Sequence, residues 1–186
     1  MSSRTNYQVP PEITTADWNR LFGSLQLDSG GNPPLVLPFG VKGFYQYATN
    51  TSDVSTTATT LSDITGLNFP VRANKTYIFE GYIIFQTAAT TTGISLSGNG
   101  PDSPTYYVMR KSIPISLTAA EERMERAYNT NQPSSGVDAA NANCLAYLWG
   151  VIRPSTDGTF TLRMASEVSG SAVTVKTGSV LIWREI

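Results

Sequence analysis

Histidine is absent from the 186 residues of this chain. Its absence removes the side chain that most often serves as a general base, binds zinc or copper, or activates a serine or cysteine nucleophile. Most hydrolase mechanisms are thereby excluded. We therefore predict no catalytic residue, no metal site and no cofactor.

Cysteine is nearly absent as well. The single Cys144 cannot form a disulfide within the chain, and its neighbours in NCLAYLWG are largely apolar. An apolar environment is typical of a packed thiol and not of a reactive one. We expect Cys144 to be structural.

Charge is low and balanced, with 13 basic and 14 acidic residues. A protein that binds nucleic acid or an anionic membrane usually carries a basic patch, so neither partner is expected. No apolar run is long enough to cross a bilayer, and the first residues, MSSRTNYQVPPE, lack the apolar core of a signal peptide. We expect a soluble chain made in the cytoplasm.

Threonine, serine, glycine and asparagine are abundant, which favours short strands joined by tight turns. Strand patterns separated by turn signals recur from Val41 onward, and we count about eight to ten of them, as in a two-sheet sandwich. The predicted strands are Phe44–Ala48, Thr60–Val71 (with an irregular edge at Asp63 and Gly66), Thr76–Thr87, Gly93–Ser97, Thr105–Lys111, Asn143–Ile152 and three more within Thr159–Ile186.

The last stretch, Thr159–Ile186, shows the alternation most clearly. Phe160, Leu162 and Met164 share one face of its first strand, and polar residues share the other, as in a half-buried antiparallel strand. In the final strand both faces are apolar, Val180 with Ile182 and Leu181 with Trp183. We expect one of these pairs to lie near a subunit boundary or under the second sheet.

Two further segments, Tyr77–Phe85 and Leu145–Ile152, are also apolar on both faces. In an isolated antiparallel sandwich, the outer faces of the two sheets contact solvent and should carry polar residues. Three doubly apolar strands therefore predict oligomerisation through a sheet face.

Residues 1–40 are interpreted as an arm, separate from a sandwich domain at residues 41–186. A short helix is predicted at Thr14–Phe22, capped by Thr14, followed by a glycine- and proline-rich linker at Asp28–Gly40. So short a helix must dock its apolar stripe on something, either its own domain or a neighbouring subunit. The predicted docking residues are Trp18, Leu21, Phe22, Leu181 and Trp183.

The segment Thr118–Tyr128 has two interpretations. A capping box from Thr118 to Glu121 favours a short helix with a solvated charged face, and strand alternation is the weaker pattern. Two polar stretches, Asn50–Thr59 and Asn129–Asn143, are predicted to be loops.

No pair of carboxylates is placed by a motif. Glu167 is expected to bond turn amides or a neighbour's arginine, and Asp157-Gly158 to form a turn between strands. Several aromatic residues could form a platform for sugar stacking, although core or interface roles are favoured at strand spacing: Tyr45, Tyr47, Tyr82, Tyr106, Tyr107 and Trp149.

Three segments, TTLSDITGLNFPVRANKTYIFE, TTTGISLSGNGP and DGTFTLRMASEVSGSAVTVKTGSVLIWREI, resemble a jelly-roll domain of virion proteins of tailed bacteriophages, including head decoration and fibre proteins. The resemblance covers roughly the last two-thirds of the chain and is one of strands and glycine turns. It implies a compact jelly-roll-like antiparallel β-sandwich, a homotrimer and no catalysis.

From these observations we formulate three hypotheses. The first is a homotrimeric decoration or cement protein that binds the major capsid protein or another virion protein on the head surface of a virion assembled in the host cytoplasm. The second is a tail or head fibre module that binds a host surface glycan. The third is a glycosidase, which would need two carboxylates about 5 to 10 Å apart in an open cleft.

Overall fold

A computed structural model describes residues 45–186 of the chain. The predicted arm at residues 1–40, with Trp18, Leu21 and Phe22, lies outside the described residues. Within residues 45–186 the chain forms eleven β-strands: β1 Gln46–Thr49, β2 Val54–Thr56, β3 Ser62–Val71, β4 Tyr77–Thr87, β5 Ile94–Asn99, β6 Tyr106–Pro114, β7 Ala120–Glu125, β8 Cys144–Arg153, β9 Gly158–Ser166, β10 Val173–Val175 and β11 Val180–Glu185.

The strands form two antiparallel sheets. The large sheet has the order β1-β11-β4-β8-β6-β7, with β10 pairing both β4 and β2. The small sheet has the order β3-β9-β5. Because β3, β4, β5 and β6 alternate between the sheets, the chain crosses the core repeatedly, as it does in jelly-roll sandwiches. The predicted fold class, an all-β antiparallel sandwich, is confirmed for the described residues.

The core lies between the sheets and is built from the alternation that the sequence displays. In β9, Phe160, Leu162 and Met164 are fully buried, as predicted. An aromatic cluster ties the two sheets together: Phe160 of the small sheet lies 4.7 Å from Phe79 of the large one, between ring centroids. Contacts between aromatic rings add specific geometry to the apolar area that they bury.

The predicted irregular edge is also present. β3 is an edge strand of the small sheet, and its register with β9 shifts between Asp63 and Asn68. Gly66 has a positive φ of 90°, and an added Cβ would lie 2.8 Å from the Thr49 carbonyl oxygen. A bulge of this kind interrupts pairing at an edge that could otherwise recruit another chain.

Two local predictions are wrong. The segment at 118–128 forms no helix: Ala120–Glu125 is strand β7, because β6 offers it a full set of backbone partners from Met109 to Pro114. Its charges do not all form a solvated face, since Glu125 is buried. The predicted loop Asn50–Thr59 contains the short strand β2, which pairs with β10.

The loop at 129–143 covers the free edge of β5. The Ser134 N–H donates to the Ile94 carbonyl at 3.0 Å, and the Ser134 hydroxyl accepts from the Ile94 N–H at 3.1 Å. A Cβ at Gly93 would lie 1.7 Å from the Ser134 carbonyl oxygen. Only glycine therefore allows the loop to approach this closely.

We expect Gly93→Ala to lower the free energy of unfolding by about 3 kcal/mol, since the loop backbone must move to admit the methyl group. The control is Gly170→Asn, which should cost about 1 kcal/mol or less because Asn tolerates a positive φ. Gly170 has a φ of 83° and no heavy atom within 4 Å of an added Cβ. Urea unfolding measures both variants, and equal losses would contradict the steric argument.

Candidate interface on the outer face of the large sheet

The large sheet turns one face to the small sheet and leaves the other uncovered among the described residues. We call this second surface the outer face. Because side chains alternate along a strand, the strand register groups its residues into rows that run across the sheet. The middle row is Tyr47, Ile182, Glu80, Trp149, Arg110 and Met124; beside it lie Val180, Tyr82, Tyr147 and Ser112, and on the other side Arg184, Ile78, Val151 and Val108.

The outer face is unusually apolar for a surface. Tyr47 is 73% exposed, Leu145 55%, Met124 42% and Val108 40%. Contiguous exposed apolar surface of this kind marks an interaction site more often than scattered single residues do. Tyrosine, tryptophan, methionine and arginine are also the residues enriched at the centres of protein interfaces.

Aromatic contacts organise one part of this face. Tyr147 of β8 packs against Tyr82 of β4 with ring centroids 5.1 Å apart, and it stacks on Trp149 at 4.9 Å. The Arg110 guanidinium lies 5.6 Å from the centre of the Trp149 ring. These rings are held by neighbours within the same sheet, so the face presents a preorganised surface to a partner.

The middle of the outer face is hollow, with a cavity volume of about 420 Å³. Apolar and aromatic side chains line most of it, and the polar groups are few. Its lining includes Tyr45, Ile78, Glu80, Val108, Trp149 and Ile182. Such a hollow can receive a side chain from a partner protein or one ring of a small ligand.

Three charged side chains lie on or beside this hollow. Glu80 accepts a hydrogen bond from the Tyr82 hydroxyl at 3.4 Å, and no cation of residues 45–186 forms an ion pair with it. Burial, followed by the negative charge of Glu80, raises the pKa of Tyr147.

Arg110 forms an ion pair with Glu122 at 3.1 Å. The Arg184 guanidinium packs 5.0 Å from the centre of the Tyr45 ring, and its Nε is buried without an acceptor among residues 45–186.

The predicted site residues of the last strand lie on the opposite side. Leu181 is fully buried, and Trp183 stacks on Phe69 of the small sheet with centroids 4.8 Å apart. Both side chains thus lie under the second sheet, and half-buried Val180 and Ile182 occupy the outer face. The sequence left this choice open. The parity of the charges gives no signal, because Arg184 shares the outer side with Ile182 whereas the buried Glu185 has the parity of Leu181.

A second polar cluster is buried between the sheets and was not predicted. Lys111 of β6 donates to the Leu96 carbonyl and, at 2.6 Å, to Glu125 Oε1. Glu125 Oε2 accepts from the Tyr107 hydroxyl at 3.0 Å and from the Ser97 hydroxyl at 3.1 Å. Burial raises the pKa of Glu125 and lowers that of Lys111, and their mutual attraction opposes both shifts. The cluster joins β6 and β7 to β5 of the small sheet.

Groups suited to chemistry are sparse in the described part of the chain. Within residues 45–186, no three Cys, Asp or Glu side chains lie together as a metal site would require. Burial raises the pKa of the Cys144 thiol. Glu167 accepts the N–H of Gly93 at 2.9 Å, which is one of its two expected roles. No helix of these residues is long and apolar enough to span a membrane.

No protein-family model and no curated protein sequence matches the chain. Among solved structures, the Eiger TNF of S. frugiperda matches at 11% identity and a TM-score of 0.38, covering 76% of this chain and 92% of that one. The VP2 subviral particle of infectious bursal disease virus matches at 11% identity and a TM-score of 0.36, covering 77% of this chain and 38% of VP2. Neither similarity carries a functional argument, and the sandwich is established by the strand pairing of the chain itself.

Proposed function

We propose that this chain is a structural protein of a tailed-bacteriophage virion, a homotrimer that binds the major capsid protein and decorates the head surface. The observation that carries the proposal is the apolar outer face of the large sheet. The resemblance of the strand and turn pattern to phage jelly-roll proteins supports the phage origin. The association itself is argued from the outer face.

The size of the outer face suits a protein partner. Six strands about 4.8 Å apart, with rows about 7 Å apart, make the face roughly 25 Å by 20 Å before side-chain relief is counted. A stable protein interface buries about 800 Å² on each partner. Tyr47, Tyr45 and Leu145 are the most exposed apolar side chains of the outer face and would lose the most exposed area on association. Most of the outer face would therefore be covered in the trimer.

A decoration protein stabilises a shell by mass action. Each bound trimer lowers the free energy of the assembled shell and leaves that of the dissociated subunits unchanged. The effect is repeated at every site on the particle. Such a role needs interfaces and no catalytic groups. The described residues supply an apolar surface for an interface, and we assign the anchor to the head to Trp18, Leu21 and Phe22 of the predicted arm.

Deleting residues 1–23 tests the anchor. We expect the shortened chain to remain a folded trimer, because the outer face is retained, and to lose binding to particles. Co-sedimentation with heads that lack the protein measures binding, and light scattering after size-exclusion chromatography measures the trimer. Retained particle binding would contradict the anchoring role.

The location on the particle needs a separate experiment. Reconstruction of the virion by cryo-electron microscopy should show trimeric density on the outside of the head that fits the sandwich of residues 45–186. Density of this shape on the tail or on a fibre would favour the second candidate.

That second candidate is a fibre module that binds a host surface glycan. The hollow favours it, because Tyr45 and Trp149 offer rings for stacking and Glu80 offers a hydrogen-bond acceptor. A glycan array probed with the full chain separates the two candidates. A hit that Glu80→Gln abolishes, in a protein that stays monomeric, would replace the decoration proposal.

A further inference from the structure

We infer that Glu80 of one copy forms an ion pair with Arg184 of a second copy when the outer faces meet. The inference rests on the proposed self-association and names the polar contact within it. It begins from the position of Glu80, a carboxylate in the middle row between Ile182 and Trp149.

Covering the outer face would remove water from Glu80. A carboxylate that loses its water without gaining a cation is strongly unfavourable. Its own chain offers the Tyr82 hydroxyl at 3.4 Å and no ion pair within residues 45–186. The incoming surface must therefore bring a positive charge to this position.

Three arginines with outward parity could supply that charge: Arg110, Arg184 and Arg153, which pairs in register with Tyr106. Arg110 is already committed, because it pairs with Glu122 and lies over Trp149. Arg184 has no ion pair within residues 45–186, and its Nε is buried without an acceptor. Arg153 shares both properties but stands two rows from Glu80. Arg184 lies only one row away, on the neighbouring strand, and is therefore the nearer uncommitted cation.

The two charges lie close together but are not paired within the chain. Glu80 pairs in register with Ile182, and Arg184 stands two residues further along β11, opposite Ile78. Diagonal neighbours of this kind are about 7–8 Å apart. The Arg184 guanidinium lies over the Tyr45 ring and forms no ion pair with Glu80. A face that displays one acid and one base without ion pairs among residues 45–186 is complementary to another copy of itself.

The occupant that fits is therefore another copy of this chain. A neutral glycan would fill the hollow but bring no cation for Glu80, and it would leave Arg184 without an anion. In a closed trimer, Glu80 meets Arg184 of one neighbouring copy and Arg184 meets Glu80 of the other, so both charges are satisfied and the apolar rows around them are covered.

The test uses the full chain and charge reversal. Glu80→Arg and Arg184→Glu should each weaken association by about 100-fold, because like charges then face each other in a covered site. The double variant, with both changes in one chain, should recover association to within about tenfold of the parent. Sedimentation equilibrium gives the association constants, and circular dichroism checks that each variant is folded.

Mixing the two single variants decides whether the pair forms between copies. If it does, the mixture should yield mixed trimers by native mass spectrometry and associate more strongly than either variant alone. Two of the three contacts in a mixed trimer then join opposite charges, against none in a trimer of one variant. Recovery in the double variant without recovery in the mixture would place the pair inside one chain and overturn the inference. No recovery in either would also overturn it.

The matched control is Arg110→Glu, which reverses a charge on the same face but breaks a pair that already exists in the chain. It should weaken association less than Arg184→Glu does, and an equal loss would overturn the assignment to Arg184. The parent chain separates this inference from the proposed function. A parent that is monomeric at all concentrations contradicts the proposed trimer, whereas a trimeric parent with an unaffected Glu80→Arg variant contradicts the ion pair alone.

Discussion

Replacing Lys111 with methionine is expected to lower the free energy of unfolding by about 3–5 kcal/mol, because the change leaves the Glu125 carboxylate charged and unpaired in the core. Both side chains of the pair have no exposed surface, and their Nζ and Oε1 atoms are 2.6 Å apart. Methionine has nearly the volume of lysine, so the loss reports the missing charge and hydrogen bonds and not a cavity.

Urea unfolding followed by tryptophan fluorescence measures this loss. The control is Arg110→Met, on the same strand one residue earlier, whose side chain is exposed and whose ion pair lies at the surface. It should change stability by about 0.5 kcal/mol or less. A loss below about 1 kcal/mol for Lys111→Met would show that Glu125 is neutral or hydrated in the native protein.

The pH dependence of the Lys111→Met variant has a definite sign. Burial raises the pKa of Glu125, and removing the lysine removes an interaction that lowers it. A carboxyl group whose pKa is higher in the folded protein than in the unfolded chain destabilises the fold at high pH. The free energy of unfolding falls as pH rises from the pKa of the unfolded chain through the pKa of the folded protein. The difference in free energy of unfolding between the parent and the variant should therefore become smaller as pH falls and Glu125 becomes protonated. Both proteins are measured at each pH.

The double variant Lys111→Met with Glu125→Met is expected to recover part of the loss. Replacing both members of a buried pair by apolar residues removes two desolvation costs together. Recovery should be incomplete, because the hydroxyls of Tyr107 and Ser97 lose the carboxylate to which they donate. A double variant no more stable than the single one would contradict the unpaired charge as the cause of the loss.

The alternation that revealed the sheets could also have revealed this cluster. Tyr107, Met109 and Ile113 share one parity of β6 and are all buried, and Lys111 has the same parity. The predicted strand ends at Lys111, whereas β6 continues to Pro114. Glu125 is harder to find from sequence, since its burial depends on the pairing of β7 with β6, and the local capping pattern favours a helix.

The sequence predicts that a sheet face with a partner exists, but it does not predict which residues form that face. The sequence shows that β4, β8 and β11 are apolar on both sides, which already predicts a sheet face with a partner. It does not show which parity points inward, because Leu181 with Trp183 and Val180 with Ile182 are equally apolar. The position of the small sheet decides the question, and it depends on long-range contacts such as that between Phe69 and Trp183.

Replacing Val108 and Leu145 together with lysine is expected to convert the proposed trimer into folded monomers. The two residues lie on β6 and β8 and are 40% and 55% exposed in the single chain. Their replacement should therefore leave the sandwich nearly as stable as before. In the trimer, each lysine would have to be buried without a partner, and two such changes should weaken association by about 1,000-fold or more.

Light scattering after size-exclusion chromatography measures the molar mass, and thermal unfolding checks the fold. Leu117→Lys is the matched control, because Leu117 is the most exposed large apolar residue of the described part of the chain, at 90%, but lies in the turn between β6 and β7 and not on the outer face. It should remain trimeric, which would show that added charge alone does not disperse the protein. If the Val108 and Leu145 variant also stays trimeric, the outer face is not the contact surface. Its exposed aromatic rows would then have to serve another partner, of which the glycan of the fibre hypothesis is the first to test.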